Sequence, residues 1–168
     1  EKLGLPFTQD LYRSVTHDSG EFDLLNGMLS HSLPYDTRSS FSLFINHKDT
    51  FTGITDNDRS LTAKSFAELM QESSYSSGTD CKVKMAQNFR IPGHVPICIA
   101  DRELLQGRQG HTELIIALMS FLNLTPVALG CEMLSDDGNA LSPEEAQTWA
   151  QKQGYLFLEG RQIVEVCQ

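Results

Sequence analysis

Residues 108–123, with the sequence RQGHTELIIALMSFLN, carry the clearest periodic pattern in this chain of 168 residues. Apolar side chains recur at intervals of three and four positions from residue 111 onward, and this spacing predicts an amphipathic helix over residues 111–123. The side chains predicted to face the core are Leu114, Ile115, Leu118, Phe121 and Leu122. The helix is therefore expected to form part of a folded core.

Strand and helix patterns alternate around this helix. The predicted strands are residues 39–47, 94–100, 126–134 and 155–158, and the other predicted helices are residues 60–72, 142–154 and 160–166. Residues 1–37 are expected to form short helices and loops, and the Ser-rich stretch 72–80 a mobile loop. This order predicts an α/β fold, an α+β sandwich with a mixed β-sheet flanked by helices, in a single domain spanning residues 1–168.

The net charge of −9 limits the possible partners. Sequence-independent binding of DNA or RNA needs basic surfaces that displace counterions, so the charge argues against a nucleic-acid partner. It does not exclude a small anionic ligand, because a local Arg or a helix N-terminus can hold a phosphate on an acidic protein. No apolar stretch reaches 18 residues, which predicts no membrane span.

The four cysteines are Cys81, Cys98, Cys131 and Cys167. They include no CxxC pair, so a zinc site made of thiolates is not expected. Cys98 and Cys131 lie in apolar runs and are expected to be buried. So few cysteines in a chain of this length, without a basic and then apolar leader, favour a cytoplasmic location.

The loop that enters the helix, Arg108-Gln109-Gly110-His111-Thr112-Glu113, could hold a phosphate. The first N–H groups of a helix lack internal partners, and Gly110 allows a close approach to the backbone. Arg108 would add a planar fork, Thr112 a hydroxyl, and His111 a ring nitrogen for a divalent metal or the substrate. The alternative is a plain helix cap beside a solvated Arg, which the residues alone favour slightly.

His94 is a second candidate, because Pro92 and Gly93 predict a turn that places it at the start of a strand. A His in that position suits acid–base chemistry near neutral pH. The alternative, which is more common for an isolated His, is a half-buried ring that binds a backbone carbonyl.

Glu132 lies within the apolar run from Pro126 to Leu134. A carboxylate there is costly unless it is paired or reached by solvent. Ligand sites in open sheets lie beyond the carboxyl ends of the strands. A functional carboxylate is therefore favoured over the alternative, a salt bridge to an Arg at the edge of the core.

Hydroxyls and carboxylates are dense in Thr52-Gly53-Ile54-Thr55-Asp56-Asn57-Asp58-Arg59. They could bind a sugar, a phosphate or a metal. They could equally cap the following helix through Asp58 or Ser60, and the residues favour neither interpretation. The segment 136–139, Asp-Asp-Gly-Asn, is expected to be only a turn.

Five segments, in this order and spacing, closely resemble the 3,4-dihydroxy-2-butanone 4-phosphate synthases of the single-domain archaeal type. They are residues 51–59, 92–95, 108–113, 131–133 and 136–140. One such motif would be weak evidence, but five in order are highly specific. The resemblance extends from about Lys2 to near the C-terminus.

The resemblance implies a lyase of riboflavin biosynthesis that converts D-ribulose 5-phosphate into L-3,4-dihydroxybutan-2-one 4-phosphate and formate, with Mg²⁺ or Mn²⁺. It also implies a homodimer with active sites near the subunit interface. Such a reaction removes a proton next to a carbonyl, enolises the sugar and rearranges its carbon skeleton. The alternative is a non-catalytic module of the same family that only binds a sugar phosphate.

The resemblance also implies roles for individual residues. His94 and Glu132 would be essential for catalysis, with Glu132 also touching the substrate. His111 would bind the metal. The substrate, chiefly its phosphate, would be held by Arg108, Gln109, Gly110, His111 and Thr112, with Thr52 and Asp58 lining the site less centrally.

The family carries an acidic loop of the form Asp-x-x-Arg-Glu-x-Glu near its N-terminus, which would supply a second metal ligand, a substrate-binding Arg and acid–base carboxylates. No segment of this chain matches that loop, and the resemblance starts downstream of its place. The expectation is therefore that the first strand and the acidic loop precede Glu1.

Overall fold

The computed structural model describes residues 3–17, 22–34, 36–73 and 76–168, without the side chain of His17. The helices are α1 Thr8–His17, α2 Asp23–Leu29, α3 Asp56–Ser73, α4 Gly78–Asn88, α5 His111–Phe121, α6 Pro143–Gln153 and α7 Gly160–Cys167, and the strands are β1 Phe41–His47 and β2 Phe89–Cys98. The α/β class predicted from the sequence is confirmed, as are the short helices before residue 37. The chain divides into two compact units, Glu1–Ala100 and Asp101–Gln168.

The first unit is built around the antiparallel pair β1–β2. Helix α3 lies against both strands, α4 lies against β2, and α1 lies against β1. Ile45, Leu69 and Cys81 are its most deeply buried apolar side chains. Thr62 on α3, which is fully buried, accepts a hydrogen bond from the N–H of His47 at 2.9 Å and so ties the helix to the strand.

The polar residues of β1 are buried more deeply than two of its aromatic ones. Ser42 is 1% exposed and Asn46 2%, whereas Phe41 is 44% exposed. Ser42 is satisfied there because its hydroxyl donates to the carbonyl of Pro6 at 2.6 Å. The buried side chains of this strand therefore include its hydrogen-bonding ones.

Strand β2 contains a large bulge opposite the middle of β1. Ile45 pairs with Val95, whereas the next residue, Asn46, pairs with Arg90. Residues 91–94 therefore have no partner on β1 and loop out of the ladder.

Gly93 allows this bulge to form. A Cβ at this position would lie 1.9 Å from the carbonyl carbon of Ile45, so the two backbones are in direct contact. The turn predicted at Pro92 and Gly93 is thus a bulge inside a longer strand. The strand predicted to begin at residue 94 begins at Phe89 instead, because pairing resumes on the far side of the bulge.

Helix α3 begins earlier than the sequence predicts, and helix α4 was not predicted. Helix α3 starts at Asp56, and the Thr55 hydroxyl accepts from the N–H of Asp58 at 3.3 Å, so capping by Asp58 or Ser60 was wrong. Helix α4 starts at Gly78, inside the stretch predicted as a mobile loop, because Ser77 caps it. Residues 74 and 75 of that stretch lie outside the described part of the chain.

The second unit contains α5, α6 and α7, and α7 packs against α5. The predicted helices 111–123, 142–154 and 160–166 are confirmed within two residues. Helix α6 has a capping box at Ser142, and its C-cap is Gly154, which has a left-handed φ of 73°. Its ends were predictable because caps depend on neighbouring residues only.

The buried face of α5 differs from the prediction. Its buried residues are Glu113 and Ala117. Phe121 and Leu122, which were expected to face the core, are each 52% exposed. The buried face of α5 is therefore a different one from the predicted face, because the carboxylate of Glu113 binds its partners in the interior.

The strands predicted at residues 126–134 and 155–158 do not form. A strand needs a neighbour to accept its hydrogen bonds, and the unit from Asp101 to Gln168 contains no strand. Leu129 is 81% exposed and Leu156 94%. The sheet of the described residues is therefore the antiparallel β1–β2 pair alone.

Two predictions about burial fail for related reasons. Cys98 and Cys131 are exposed, and Cys81 is the buried cysteine. Cys98 is the last residue of β2, and Cys131 lies in the segment that does not form a strand. None of the helices in the described part of the chain has the length and apolar character needed to cross a bilayer.

Substitution of Gly93 by Ala tests the bulge. We expect Gly93→Ala to lower the free energy of unfolding by about 2 kcal/mol or more, because overpacking costs about 1–3 kcal/mol and the clash here is with backbone. The matched control is Gly27→Ala on α2, where an added Cβ would meet nothing within 4 Å. Chemical denaturation measures both, and a Gly93→Ala value within about 0.5 kcal/mol of wild type would contradict the described contact.

Candidate functional site

The loop from Thr50 to Thr55 is held at both of its ends. The Arg90 guanidinium donates to the carbonyl oxygens of Thr50 at 3.0 Å and Phe51 at 3.1 Å. At the other end, the Asp58 carboxylate accepts from the N–H of Gly53 at 2.8 Å and from the Thr52 hydroxyl at 3.4 Å. The predicted site residues Thr52 and Asp58 are therefore in contact.

These bonds stabilise the ionised form of Asp58. The Gly53 N–H is the largest cause that lowers the pKa of Asp58 below its ordinary value, and the Thr52 and Thr55 hydroxyls act in the same direction. Asp58 is consequently a carboxylate at neutral pH, and it holds the Gly53 loop against the start of α3.

His94 is bound at two points by the side chain of Asn46. The His94 N–H donates to Asn46 Oδ1 at 2.9 Å, and Asn46 Nδ2 lies 3.2 Å from His94 Nδ1. Asn46 is 2% exposed, whereas His94 is exposed. The interpretation of His94 as a half-buried ring bound to a carbonyl is therefore wrong, since its ring partner is a side-chain amide.

Gly53 covers the other side of the same amide. A Cβ at Gly53 would lie 1.9 Å from Asn46 Nδ2, and Gly53 has a φ of 86°, which favours glycine. Through Asn46, the loop that carries Thr52 and the bulge that carries His94 become neighbours. The first unit thus brings together three of the predicted site residues, Thr52, Asp58 and His94.

In the second unit, an ion pair marks the start of α5. Arg108 Nη1 and Glu113 Oε2 lie 2.5 Å apart, and the Glu113 side chain is 1% exposed. The other Glu113 oxygen accepts from the N–H of Asp101 at 2.9 Å. Arg108 is therefore not the solvated charge of the plain helix cap, because a buried carboxylate holds its guanidinium in place.

Gly110 leaves the space that this guanidinium occupies. A Cβ at Gly110 would lie 2.2 Å from Arg108 Nη1. Gly110 is also the N-cap residue of α5 and makes no side-chain capping bond. The N-terminus of α5 therefore combines first-turn N–H groups, which the Gly110 N-cap does not bond, with the guanidinium of the Arg108–Glu113 pair, and N–H groups at a helix start can hold an anion.

The remaining predicted residues of this segment surround the same helix start. His111 is the first residue of α5 and is exposed, and Thr112 follows it half-buried. Gln109 is tied back instead, since its side-chain amide donates to the carbonyl of Leu105 at 3.3 Å. Residues 108–113 thus surround the start of α5.

The fit of these residues to a divalent metal can be tested from the side chains. His111 offers one ring nitrogen. Among the residues that the structure describes, no group of three His, Cys, Asp or Glu side chains could hold a metal ion. By themselves the described residues do not build a metal site, since divalent metals in proteins take several oxygen or nitrogen ligands.

Glu132 lies in the irregular segment before the turn at residues 136–139. It is exposed, so the expectation of a carboxylate inside a buried apolar strand was wrong. The predicted turn is confirmed by the bridge between Leu134 and Ala140. The Ser135 hydroxyl and the Asn139 N–H lower the pKa of Asp137 in this turn to about 2.

Sequence reasoning missed two residues at these clusters, Asn46 and Glu113. Each is a polar side chain with a position in a regular element, Asn46 on β1 and Glu113 in the first turn of α5. The structure buries both residues, and a buried polar side chain needs a partner. The sequence pattern carries no signal for this, because both positions lie outside the apolar phase of their elements. The partner itself is 48 residues away for Asn46, a distance that no local pattern covers.

Comparison with protein families gives one match. The family model described as 3,4-dihydroxy-2-butanone 4-phosphate synthase matches residues 1–166. Two relatives of that name are from Methanothermobacter thermautotrophicus, 41% identical over 98% of this chain and 68% of the relative, and Methanosarcina mazei, 45% identical over 98% and 65%. The chain thus spans about two thirds of these archaeal relatives.

One bacterial relative and two solved structures are also similar to this chain. A riboflavin biosynthesis protein of Staphylococcus aureus is 31% identical over 76% of this chain and 29% of the relative. A two-domain 3,4-dihydroxy-2-butanone 4-phosphate synthase from A. baumannii superposes with a TM-score of 0.56 at 21% identity, over 75% of this chain and 34% of that one. Another such synthase, in complex with two magnesium ions, gives 0.50 at 18% identity, over 79% and 62%. At these identities the two structures support the fold.

Removal of the Glu113 carboxylate tests the ion pair. We expect Glu113→Ala to lower the free energy of unfolding by about 3 kcal/mol, the low end for breaking a buried pair, because Arg108 is partly solvated. Glu103→Ala, at an exposed site, is the control and should change stability by less than about 0.5 kcal/mol. A double-mutant cycle with Arg108→Met measures the coupling, and additive effects of the two substitutions would contradict the pair.

Proposed function

The chain belongs to the 3,4-dihydroxy-2-butanone 4-phosphate synthase family, and we propose that it acts in riboflavin biosynthesis as the lyase that converts D-ribulose 5-phosphate into L-3,4-dihydroxybutan-2-one 4-phosphate and formate. Membership of the family confirms the resemblance found in the five sequence segments. The names of the archaeal and staphylococcal relatives support the reaction and the pathway.

The observation that best supports a sugar-phosphate substrate is the start of α5. A phosphate placed there would accept hydrogen bonds from the N–H groups at residues 111 and 112 and lie beside the Arg108 guanidinium. The Thr112 hydroxyl and the His111 ring would reach the same ligand. In this proposal Gly110 supports the site indirectly, by making room for Arg108, and Gln109 through its bond to Leu105.

The reaction needs groups that move protons. Removal of a proton next to the substrate carbonyl, and its return after the skeleton has rearranged, are steps for a positioned His or carboxylate. We assign them to His94, which is exposed and held by Asn46, and to Glu132, which is exposed. Thr52 and Asp58 contribute the hydroxyl and carboxylate of the loop that lies beside Asn46.

A divalent metal belongs to this proposal, as Mg²⁺ or Mn²⁺. The magnesium-bound synthase of similar fold supports a divalent ion, and such an ion would polarise the carbonyl and stabilise negative charge on the substrate. His111 would supply one ligand. The roles assigned to His94, Glu132 and the start of α5 do not depend on the ion, because the described residues do not assemble its full set of ligands.

The proposal also covers the oligomeric state and the location of the whole protein. We expect a homodimer with one domain of this family in each subunit, located in the cytoplasm.

Formate release tests the proposed reaction directly. Purified full-length protein with D-ribulose 5-phosphate and Mg²⁺ should release one formate for each sugar phosphate consumed. His94→Ser and Glu132→Ala should each lower kcat by roughly 10²–10⁴-fold and mostly keep substrate affinity, because general acid–base groups contribute that much to turnover. His31→Ser, the same change at an exposed His of the first unit, should retain wild-type turnover.

Two results would contradict this account. Wild-type turnover in both His94→Ser and Glu132→Ala would reject the assigned roles. Binding of D-ribulose 5-phosphate by the wild-type protein without any formate would reject the lyase and leave the non-catalytic sugar-phosphate module.

A further inference from the structure

We propose that Asn46 is the positioning residue of His94, and that it fixes the ring as the tautomer with its proton on Nε2. The catalytic consequence rests on the proposed function, but the tautomer itself does not. The inference follows from the two-point contact, its enclosure and the chemistry of an amide.

The orientation of the Asn46 amide is determined by its partners. The backbone N–H of His94 can only donate, so the amide atom that it meets at 2.9 Å must be the oxygen Oδ1. The nitrogen Nδ2 then faces His94 Nδ1 at 3.2 Å. Rotating the amide by half a turn would set two donors against each other, so the ambiguity that normally affects Asn side chains is removed here.

The tautomer follows from this orientation. Asn46 Nδ2 carries two hydrogens and no lone pair to accept with, so it can only donate to His94 Nδ1. Nδ1 must therefore present its lone pair, and the proton of the neutral ring must be on Nε2. Nε2 is the nitrogen of the ring that does not meet Asn46.

The surroundings prevent the amide from leaving this position. Asn46 is 2% exposed. The Gly53 backbone lies directly against it, and Asp58 holds Gly53 through the N–H bond of 2.8 Å. On the other side, the contact between Gly93 and Ile45 fixes the bulge that carries His94. A buried Asn whose oxygen and nitrogen both bind one histidine holds that ring in one orientation and one tautomer.

For the proposed reaction, this arrangement assigns an initial role to each ring nitrogen. His94 enters the cycle with Nε2–H as a hydrogen-bond donor, while Nδ1 is occupied by Asn46. The neutral ring would therefore donate a hydrogen bond from Nε2–H to a substrate oxygen and stabilise negative charge that develops there, while the ring keeps its proton.

Nitrogen NMR of the His94 ring tests the tautomer without substrate. The wild-type full-length protein, at a pH where the ring is neutral, should show a protonated Nε2 and an unprotonated Nδ1. Asn46→Asp is nearly isosteric, keeps an oxygen for the His94 N–H and replaces the donor by an acceptor. In this variant Nδ1 should become protonated, whereas Asn26→Asp, the same change at an exposed position on α2, should leave the ring signals unchanged.

Asn46→Ala is the second variant, for the case in which a buried carboxylate impairs folding. It removes both contacts and should give a mixture of the two tautomers. A wild-type ring protonated on Nδ1, or identical ring signals in wild type and in the folded variant that is examined, would overturn the proposal.

Kinetics separate this inference from the proposed function. In protein that releases formate, Asn46→Asp should lower kcat by about tenfold or more with KM changed by less than about twofold, since the ring no longer presents Nε2–H to the substrate while the phosphate contacts remain. A similar rise in KM with an unchanged kcat would overturn the positioning role. If the wild-type protein releases no formate, the lyase fails, and the NMR result alone still decides whether Asn46 sets the ring.

Discussion

The backbone contact between Gly93 and Ile45 is the constraint on which the first unit depends. It allows four residues of β2 to leave the ladder and still pack on β1. With the bulge held in this way, His94 comes within reach of Asn46, and Asn46 in turn supports the loop of Gly53. The exposed side chain of His94 is thereby held as firmly as a buried one. A side chain that transfers protons must be positioned in this way.

In the second unit, an ion pair positions a predicted site residue in the corresponding way. Glu113 is fully buried on α5, and a buried carboxylate is stable only with donors around it. Arg108 and the N–H of Asp101 supply them. The consequence is a guanidinium fixed against Gly110 at the helix start, where the helix dipole is positive. Within each unit, therefore, one buried polar side chain orients one predicted site residue: Asn46 orients His94, and Glu113 orients Arg108.

The sequence predicted what depends on neighbouring residues. The ends of α6 were correct because Ser142 and Gly154 act within one turn, and the α5 segment was recognised because its motif is continuous. The strands at 126–134 and 155–158 were wrong because an apolar run does not reveal whether a partner strand exists. Asn46 and Glu113 were missed because their roles arise from contacts, with His94 and Arg108, that only the folded chain creates.

The central claim is that the start of α5 holds the phosphate of the substrate. An amide NMR titration of full-length protein with D-ribulose 5-phosphate tests it most directly, with α6 as an internal comparison because Ser142 already caps that helix. The account predicts saturable shifts at the amides of Gly110, His111 and Thr112, and none at the first turn of α6. Shifts absent from α5, or equal at both helices, would contradict it.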